Sequence, residues 1–370
     1  MNRPILVKCY LKSNLGDDLF LATLVKRYPE QKFEVFVDPQ YATKYSGIHN
    51  VRVIKKGILF RVLNRLCKLI TSGGIYSLIK TRYSAVVEIG GSIFPERERN
   101  PKVDPEREYL ANHLSHYFVI GSNFGPYKTD EFLKEYRNFF KKIEGAVFRD
   151  KKTYDLFSDL SNVKYAPDVV FTLPLSENKV DSSSDKDKYV VISLIDLSIN
   201  DVSRQSGLRS MAQQYENYVT KVALELLSQN YTIKFLPFST AQNDLLVSKR
   251  IRERILGVDS KANVSIIDSS NDQYKLETIK NSTLLISTRY HSMILGWLFN
   301  VPQLVLVYGD KTKQVINDLY TDQYKLTLDV LNEKTSFDAS RMNTVPNIMK
   351  IKEQAELQFF YLDSFLGVNQ

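Results

Sequence analysis

The sequence predicts an α/β protein made of two Rossmann-like domains, and three observations lead to this fold class. Short apolar runs alternate with stretches of helical periodicity, which is the pattern of a parallel sheet covered by helices. The alternation stops once, at a polar stretch without periodicity over residues 176–188, and then starts again. The chain has 370 residues, more than one hydrophobic core usually organises.

The first half of the chain supplies the elements of the first predicted domain, residues 1–180. Its apolar runs are rich in Val, Ile, Phe and Tyr, the residues that strands favour. They predict strands at 4–11, 32–38, 50–56, 83–94, 117–123 and 145–150. Helical periodicity predicts helices at 16–28, 104–117, 130–143 and 151–160.

The second half repeats the alternation and predicts a second domain at residues 185–345. Strands are predicted at 188–197, 231–238, 264–270, 283–292 and 303–310. Helices are predicted at 210–229, from Asn243 onward, and between the last two strands up to the break at Pro302. Residues 346–370 are predicted to form a C-terminal helix that crosses back to the first domain. Two Rossmann-like domains that face one cleft form the arrangement called GT-B.

The composition is that of a globular protein without a membrane span, with 43% hydrophobic and 25% charged residues. No apolar run reaches the roughly 20 residues that a spanning helix needs, and the N-terminus lacks the pattern of a secretory signal. The sequence contains only Cys9 and Cys67, and its four histidines do not cluster by spacing. We therefore expect a cytoplasmic protein with neither a metal site nor a cofactor.

The formal net charge of +8 suits an acidic partner, such as a phosphorylated substrate, an anionic lipid or a nucleic acid. Nucleic acid is not expected, because the sequence has no zinc-finger or RNP-type signature. Ligands of open parallel sheets bind at the carboxyl ends of the strands. Residues at the predicted strand ends are therefore the candidates for binding and chemistry.

Cations and small residues stand at these strand ends. Arg149 ends a strand of the first half, and Arg289 and His291 repeat this placement in the second half, with Lys311 after the adjacent strand. Turns that let a backbone approach an anion contain Gly90, Gly91, Ser92, Ser122 and Gly125. The turn "NLGDD" contains Gly16 and Asp17, and it is either part of a site or simply a capped helix start.

A series of motifs runs along nearly the whole chain, from residue 14 to residue 311. In order they are "NLGDD", "GGSIF", "GSNFGP", "FRD", "APDVVF", "PFSTAQND", "TRYHSMILG" and "VPQLVLVYGDK". The series resembles that of the polysaccharide pyruvyl transferase family, most specifically in R-x-H-S followed by Y-x-x-K. It departs from the family at Ser92, where a third glycine is usual, and at Tyr290, where leucine is usual.

The resemblance implies transfer of the enolpyruvyl group of phosphoenolpyruvate to a sugar of a polysaccharide or of its lipid-linked precursor. The product is a pyruvate ketal across two hydroxyls, and phosphate is released. Arg149 and Arg289 would hold the carboxylate and the phosphate of the donor, because a guanidinium bonds oxyanions bidentately. Lys311 would add a point charge for the phosphate.

The resemblance also implies the remaining site residues and their roles. His291 is predicted to protonate the methylene carbon and Asp17 to deprotonate the sugar hydroxyl, although the reverse assignment stays open. The other substrate-binding residues are predicted to be Asn14, Gly16, Gly90, Gly91, Ser92, Ser122, Gly125 and Tyr308. This scheme requires no metal and no cofactor beyond the donor.

Two other functions are compatible with the sequence. A GT-B glycosyltransferase that uses a nucleotide sugar would share the fold and the phosphate-binding residues. The second half, however, lacks an evident pair of acidic residues for the ribose and the sugar. A non-catalytic anion-binding scaffold of polysaccharide assembly would bind the same anions without releasing phosphate.

Residues 52–82 form the most basic stretch of the chain, with eight cations and no acidic residue. Ile58, Leu59, Val62, Leu66 and Leu69 recur there at helical spacing, and Arg61, Arg65 and Lys68 flank them. A basic amphipathic helix of this kind lies at an anionic membrane surface, which predicts a peripheral membrane contact at the inner face. The alternative is an ordinary domain helix whose apolar stripe faces the core.

Overall fold

The computed structural model describes residues 3–96, 101–174, 188–199, 207–332 and 334–368. The described chain divides into two compact units. The first unit comprises Met1–Ser13, Asp17–Pro174 and Ile351–Gln370, and the second comprises Asn14–Gly16 and Leu175–Lys350. The predicted linker, residues 176–188, lies outside the described residues except for Lys188.

The first unit is organised by a seven-stranded parallel sheet of order β3-β2-β1-β4-β5-β6-β7. Its strands are β1 Ile5–Lys8, β2 Phe33–Val37, β3 Val51–Lys55, β4 Ala85–Ile89, β5 Tyr117–Ser122, β6 Gly145–Phe148 and β7 Val163–Tyr165. The central strands are buried on both faces, which explains their continuous apolar sequences.

The helices of the first unit connect successive strands. They are α1 Leu15–Arg27, α2 Ala42–Tyr45, α3 Ile58–Ile70, α4 Tyr76–Ile79, α5 Pro105–His113, α6 Asp130–Lys142 and α7 Lys151–Phe157. In α6, Thr129 caps the first turn by accepting from the backbone N–H of Phe132. Phe132, Tyr136, Phe139 and Phe140 then recur at helical spacing and are buried, so one face of α6 packs into the core.

The second unit contains a six-stranded parallel sheet of order β10-β9-β8-β11-β12-β13. Its strands are β8 Tyr189–Ser193, β9 Thr232–Phe235, β10 Val264–Ile266, β11 Leu284–Ser287, β12 Gln303–Val307 and β13 Lys325–Thr327. Its helices are α8 Ala212–Ser228, α9 Asp244–Val258, α10 Asp272–Lys280, α11 Tyr290–Leu298 and α12 Asp310–Leu319. Counted from its own first strand, this sheet has the order 3-2-1-4-5-6, which the first sheet also follows before adding a seventh strand.

The C-terminal segment comprises α13 Ile348–Ala355 and α14 Phe360–Leu366, separated by a 3₁₀ turn at Glu356–Phe359. Residues from Ile351 onward pack into the first unit, as the sequence predicts, although the segment is broken rather than one helix. Gln358 is buried there and donates to the carbonyl oxygens of Ala166 and Pro167 at 2.8 and 3.0 Å. Arg27 pairs with Asp363 at 2.7 Å.

The predicted fold class is confirmed: both halves form parallel sheets with interleaved helices. Six elements of the described chain were not predicted, namely β7, β13, α2, α4, α10 and α12. None of the helices in the described ranges combines the length and the apolar character needed to cross a bilayer.

Candidate functional site

The candidate residues of the second unit follow β11, which lies beside β8 where the strand order reverses. Open parallel sheets bind ligands at the carboxyl ends of strands at such a point. Ser287 ends β11, and the next residues, Thr288 and Arg289, lead directly into α11. Thr288 is fixed by its backbone N–H, which donates to Ser193 O at 2.9 Å, and by a 2.9 Å hydrogen bond with the hydroxyl of Tyr215.

Arg289 is held by a buried carboxylate. Its Nε donates to Asp244 Oδ2 at 2.8 Å, its Nη2 donates to Asp244 Oδ1, and its Nη1 donates to Gln242 Oε1. Asp244, the first residue of α9, is 0% exposed and also accepts the backbone N–H groups of Phe238 and Ser239 at 3.0 and 2.9 Å. The guanidinium is therefore fixed in orientation before any ligand arrives.

Burial and pairing act in opposite directions on this ion pair. Burial raises the pKa of the Asp244 carboxyl, and the Arg289 guanidinium and the two backbone N–H groups offset part of that effect. Burial alone would lower the pKa of Arg289, but the Asp244 carboxylate outweighs it, and the pKa is raised. Four N–H groups point at the carboxylate, and these hydrogen bonds favour its ionised form against the effect of burial.

His291 lies in the first turn of α11, directly against Gly16. A Cβ added to Gly16 would be 2.0 Å from Nδ1 of His291, so only glycine leaves room for the imidazole. The ring also meets the Tyr290 ring edge to face, with a centroid distance of 5.1 Å. Glycine is thus required at residue 16 by close approach, which fixes the ring on one side.

The loop that carries Gly16 is joined to the segment that supports Asp244. The backbone N–H of Leu15 donates to Phe238 O at 2.9 Å, and Asn14 and Ser239 form an antiparallel bridge. Phe238 and Ser239 are also the residues whose N–H groups bind Asp244. One short segment of the second unit therefore holds both the counterion of Arg289 and the loop beneath His291.

Gly16→Ala is expected to displace the imidazole of His291 and lower turnover by about 100-fold, since a shift of about 1 Å at a reacting group has effects of that size. The measurement is kcat for the reaction proposed below, alongside thermal unfolding. Gly257→Ala is the matched control, because a Cβ at Gly257 meets nothing within 4 Å. An unchanged kcat in Gly16→Ala would show that the position of this ring does not matter for turnover.

The first unit holds the second candidate arginine. Arg149 directly follows β6 and is 3% exposed; its Nη1 donates to Asp168 Oδ2 at 2.7 Å and its Nη2 to Asn123 Oδ1 at 2.8 Å. A Cβ at Gly91 would lie 2.7 Å from Nη2, so the guanidinium rests on this glycine. Ser92 Oγ donates to the same Asn123 oxygen at 3.1 Å. Arg149, like Arg289, is pre-positioned by a buried aspartate.

The turns after β4 and β5 are bonded to each other around this arginine. Ser122 Oγ donates to Gly91 O at 2.8 Å, and the backbone N–H of Gly125 donates to Phe94 O at 3.0 Å. Gly125 has a φ of 93°, a conformation that favours glycine. Gly90 is buried, and a Cβ there would lie 2.9 Å from the side chain of Ile93. The structure therefore brings the predicted residues of these two turns together with Arg149 at the carboxyl ends of the strands, whereas Asn14 and Gly16 belong to the second unit.

Of three other predicted residues, Tyr308 and Lys311 lie in the second unit and Asp17 lies in the first. Tyr308 follows β12 and is 6% exposed. Burial lowers the pKa of Arg289, Asp244 raises it, and Tyr308 adds a smaller effect in the same direction as Asp244. Lys311, in the first turn of α12, places its Nζ 5.8 Å from the centroid of the Tyr308 ring. Asp17 is half-buried in α1, one residue after Gly16. The roles assigned to these residues stay predictions.

A pocket of about 510 Å³ opens in the first unit beside the glycine turn of β4. Its wall is lined with charged and polar groups, among them Lys8, Lys56, Asn64, Glu88, Ser92 and Arg107. Tyr10 and Phe60 add aromatic surface. A pocket of this size, with a few polar side chains and aromatic rings in its wall, is large enough for a small-molecule ligand.

Glu88 and Arg107 form a buried ion pair at the base of this pocket. Arg107 Nη2 donates to Glu88 Oε1 at 2.7 Å and Nε donates to Oε2 at 2.9 Å, while the Tyr117 hydroxyl donates to Oε2 at 2.6 Å. Burial alone would raise the pKa of Glu88, but Arg107 outweighs it and lowers that pKa. The carboxylate is therefore an ionised, fixed acceptor at neutral pH.

Sequence reasoning missed the partners of the two arginines and the Glu88–Arg107 pair. Asp244 and Gln242 stand within "PFSTAQND", and Asp168 within "APDVVF", so the motifs contained them without indicating what they bind. Asn123 ends the predicted strand 117–123 and could have been found by its position. Among the described residues, no three His, Cys, Asp or Glu side chains gather in a way that could hold a metal ion.

Solved structures of low sequence identity share the fold. A putative UDP-N-acetylglucosamine 2-epimerase from Listeria monocytogenes is 10% identical, with a TM-score of 0.60 over 100% of this chain and 98% of that chain. HepE from Anabaena, solved with UDP and glucose, is 13% identical, with a TM-score of 0.57 over 100% of both chains. At these identities the likeness shows the fold alone, which is that of GT-B glycosyltransferases and epimerases.

The family comparison covers most of the chain. The model described as Polysaccharide pyruvyl transferase matches residues 14–310. This range begins at the loop beneath His291 and includes both arginine–aspartate pairs and the glycine turns of the first unit. The chain therefore belongs to the polysaccharide pyruvyl transferase family.

Proposed function

We propose that this chain transfers the enolpyruvyl group of phosphoenolpyruvate to a sugar of a polysaccharide or its lipid-linked precursor, forming a pyruvate ketal. The observation that carries the proposal is the arrangement of Arg289 and His291 at the carboxyl end of β11, in a chain of this family. Arg289 is a rigid donor of N–H groups, and His291 is an imidazole packed on a glycine. Anion binding and proton transfer are the two tasks that this donor requires.

Arg289 suits phosphoenolpyruvate because of the fixed direction of its N–H groups more than because of its charge. Among the contacts of the described residues, three of its five N–H groups donate to Asp244 and Gln242. The other two can donate to a ligand. Since Asp244 neutralises the guanidinium, the net positive potential is supplied by Lys311 and by the N-termini of α11 and α12. Such a site orients oxyanions with fixed N–H donors.

The proposed reaction balances as follows. Protonation of C3 creates an oxocarbenium-like centre at C2, to which the first sugar hydroxyl adds as it loses its proton. The bond between C2 and the phosphate oxygen then breaks and inorganic phosphate leaves. The second hydroxyl bonds to the resulting oxocarbenium-like C2 and loses its proton, which closes the ketal. We assign protonation of C3 to His291 and deprotonation of the hydroxyl to Asp17, with the pocket beside Glu88 and Arg107 as the acceptor site.

Phosphoenolpyruvate, and not UDP-glucose, is expected to raise the melting temperature of the protein. At about 100 times its dissociation constant a ligand stabilises by about 2.7 kcal/mol, which a thermal scan resolves easily. With a panel of sugar glycosides as acceptors, phosphate release should depend on the acceptor and survive EDTA. Stabilisation by UDP-glucose alone would favour a glycosyltransferase, and donor binding with every acceptor inert would favour a scaffold. Loss of phosphate release in EDTA with recovery in magnesium would contradict the metal-free scheme.

A further inference from the structure

Helix α3 exposes an apolar face that nothing in the described chain covers. None of its thirteen residues is buried, and Ile58, Leu69 and Ile70 are 83%, 81% and 85% exposed. Leu59, Val62, Leu63 and Leu66 are also exposed. The amphipathic helix of a soluble domain normally packs its apolar residues against the core. The alternative prediction, an ordinary domain helix whose apolar stripe faces the core, is therefore wrong.

The helix has three distinct faces when its residues are placed about 100° apart around the axis. Phe60, Asn64 and Cys67 are half-buried and form the inner face. Phe60 packs on Phe36 with a centroid distance of 5.3 Å, and Asn64 Oδ1 accepts the backbone N–H of Ile75 at 2.8 Å. The seven exposed apolar residues cover an arc of roughly 140° whose centre points away from this inner face.

The third face is basic and borders the apolar arc. Arg61, Arg65 and Lys68 form it, within a stretch of eight cations and no acidic residue at 52–82. Carboxylates from elsewhere pair with part of this charge, namely Asp38 with Arg61 at 3.7 Å and Glu106 with Lys68 at 2.8 Å. These pairs are at the surface and screen the cations only weakly, so the patch stays positive.

We propose that α3 docks this protein on an anionic lipid bilayer, with its apolar arc among the acyl chains and its basic face on the headgroups. At thirteen residues the helix is about 20 Å long, too short to span a bilayer and suited to lying in its plane. Charge complementarity favours a lipid surface over a second copy of this chain. A symmetric dimer through this patch would bring the same positive charge to both sides.

The inner face of α3 connects this docking surface with the pocket of the first unit. Phe60 and Asn64 line the pocket, together with Lys56 just before the helix. A sugar carried on a membrane lipid would thus enter beside the helix that lies on the membrane. The docking itself does not rest on the proposed function, because it is measured without donor or acceptor.

The test is co-sedimentation of the full chain with phosphatidylcholine vesicles, with and without phosphatidylglycerol, at low and high salt. The native chain is expected to bind only the vesicles with phosphatidylglycerol. Each cation near the headgroups contributes about a factor of five, so R61E/R65E/K68E should lower the partition coefficient on the order of 100-fold. The control K26E/K134E/K141E makes the same change in net charge at exposed sites elsewhere and should bind as the native chain does.

The apolar arc is tested separately by L59S/V62S/L66S, which is expected to abolish the part of binding that persists at high salt. Its control, L246S/V258S/M349S, removes exposed apolar residues of the second unit and should retain that binding. Because all these side chains are exposed, the variants should keep the native circular dichroism. In addition, Leu66→Trp should give a blue-shifted emission with anionic vesicles.

Three results would overturn the proposal. The first is equal, negligible sedimentation of the native chain with both kinds of vesicle at low salt. The second is equal loss of binding in the charge control, which would mean that net charge alone governs adsorption. The third is a dimer in light scattering that L59S/V62S/L66S dissociates, without vesicle binding, which would assign the face to a second copy.

Discussion

Replacing Asp244 with alanine is expected to lower the free energy of unfolding of the second unit by about 3–5 kcal/mol. The substitution leaves the buried Arg289 without its carboxylate and removes the acceptor of the Phe238 and Ser239 N–H groups. An unpaired buried charge costs much more than the pair itself contributes. The double variant Asp244→Ala/Arg289→Met should therefore recover a large part of the lost stability.

The single tryptophan makes this measurement specific to the second unit. Trp297 is 1% exposed in α11, and its Nε1 donates to Gln323 Oε1 at 2.6 Å. Its fluorescence during denaturant unfolding follows the unit that contains Asp244. Glu253→Ala, an exposed carboxylate of the same helix α9, is the control and should change stability by less than about 0.5 kcal/mol. A similar small change in Asp244→Ala would mean that Arg289 finds another partner or water.

His291→Ala is expected to lower kcat by about 100- to 10,000-fold while binding of phosphoenolpyruvate largely survives. The imidazole is assigned to proton transfer, and Arg289 and Lys311 to holding the anion, so the loss should appear in turnover. Stopped-flow phosphate release at saturating donor, together with calorimetric titration of the donor, separates the two effects.

Arg289→Lys is the contrasting variant for this experiment. A lysine keeps the charge but loses the planar fork, so donor binding should weaken by about 2–5 kcal/mol. Arg149→Lys is expected to behave in the same way, since its fork also spans two partners, Asp168 and Asn123. If His291→Ala abolished donor binding and left turnover at saturation intact, the histidine would belong with the anion-binding residues.

Most of the sheet architecture could be predicted because buried parallel strands are continuous apolar runs. β5 and β12 are buried along their whole length, and their sequences consist mostly of apolar residues. β13 is a half-buried edge strand of three residues, and its sequence "KLT" carries no such signal. The polar helices α10 and α12 were missed because few of their residues face the core.

The positions of the candidate arginines were predictable, but their environments were not. A strand end is a local feature, whereas Asp168 lies 19 residues after Arg149 and Asp244 lies 45 residues before Arg289. Only the folded sheet brings such pairs into contact. The periodicity of α3 likewise predicts a helix with one apolar face, but the direction of that face depends on how Phe60 and Asn64 anchor it.

Gln358 makes the completion of the first unit depend on a residue that follows the whole second unit in the chain. Its buried side chain accepts the backbone N–H of Gly121 at 2.8 Å and bonds the carbonyl groups of Ala166 and Pro167. Pro167 immediately precedes Asp168, the counterion of Arg149. On the ribosome these hydrogen bonds cannot form before residue 358 has been made, after the whole second unit. The backbone groups of the nascent first unit therefore lack their native partner, and the loop that carries Asp168 is not fixed, until residue 358 has been made.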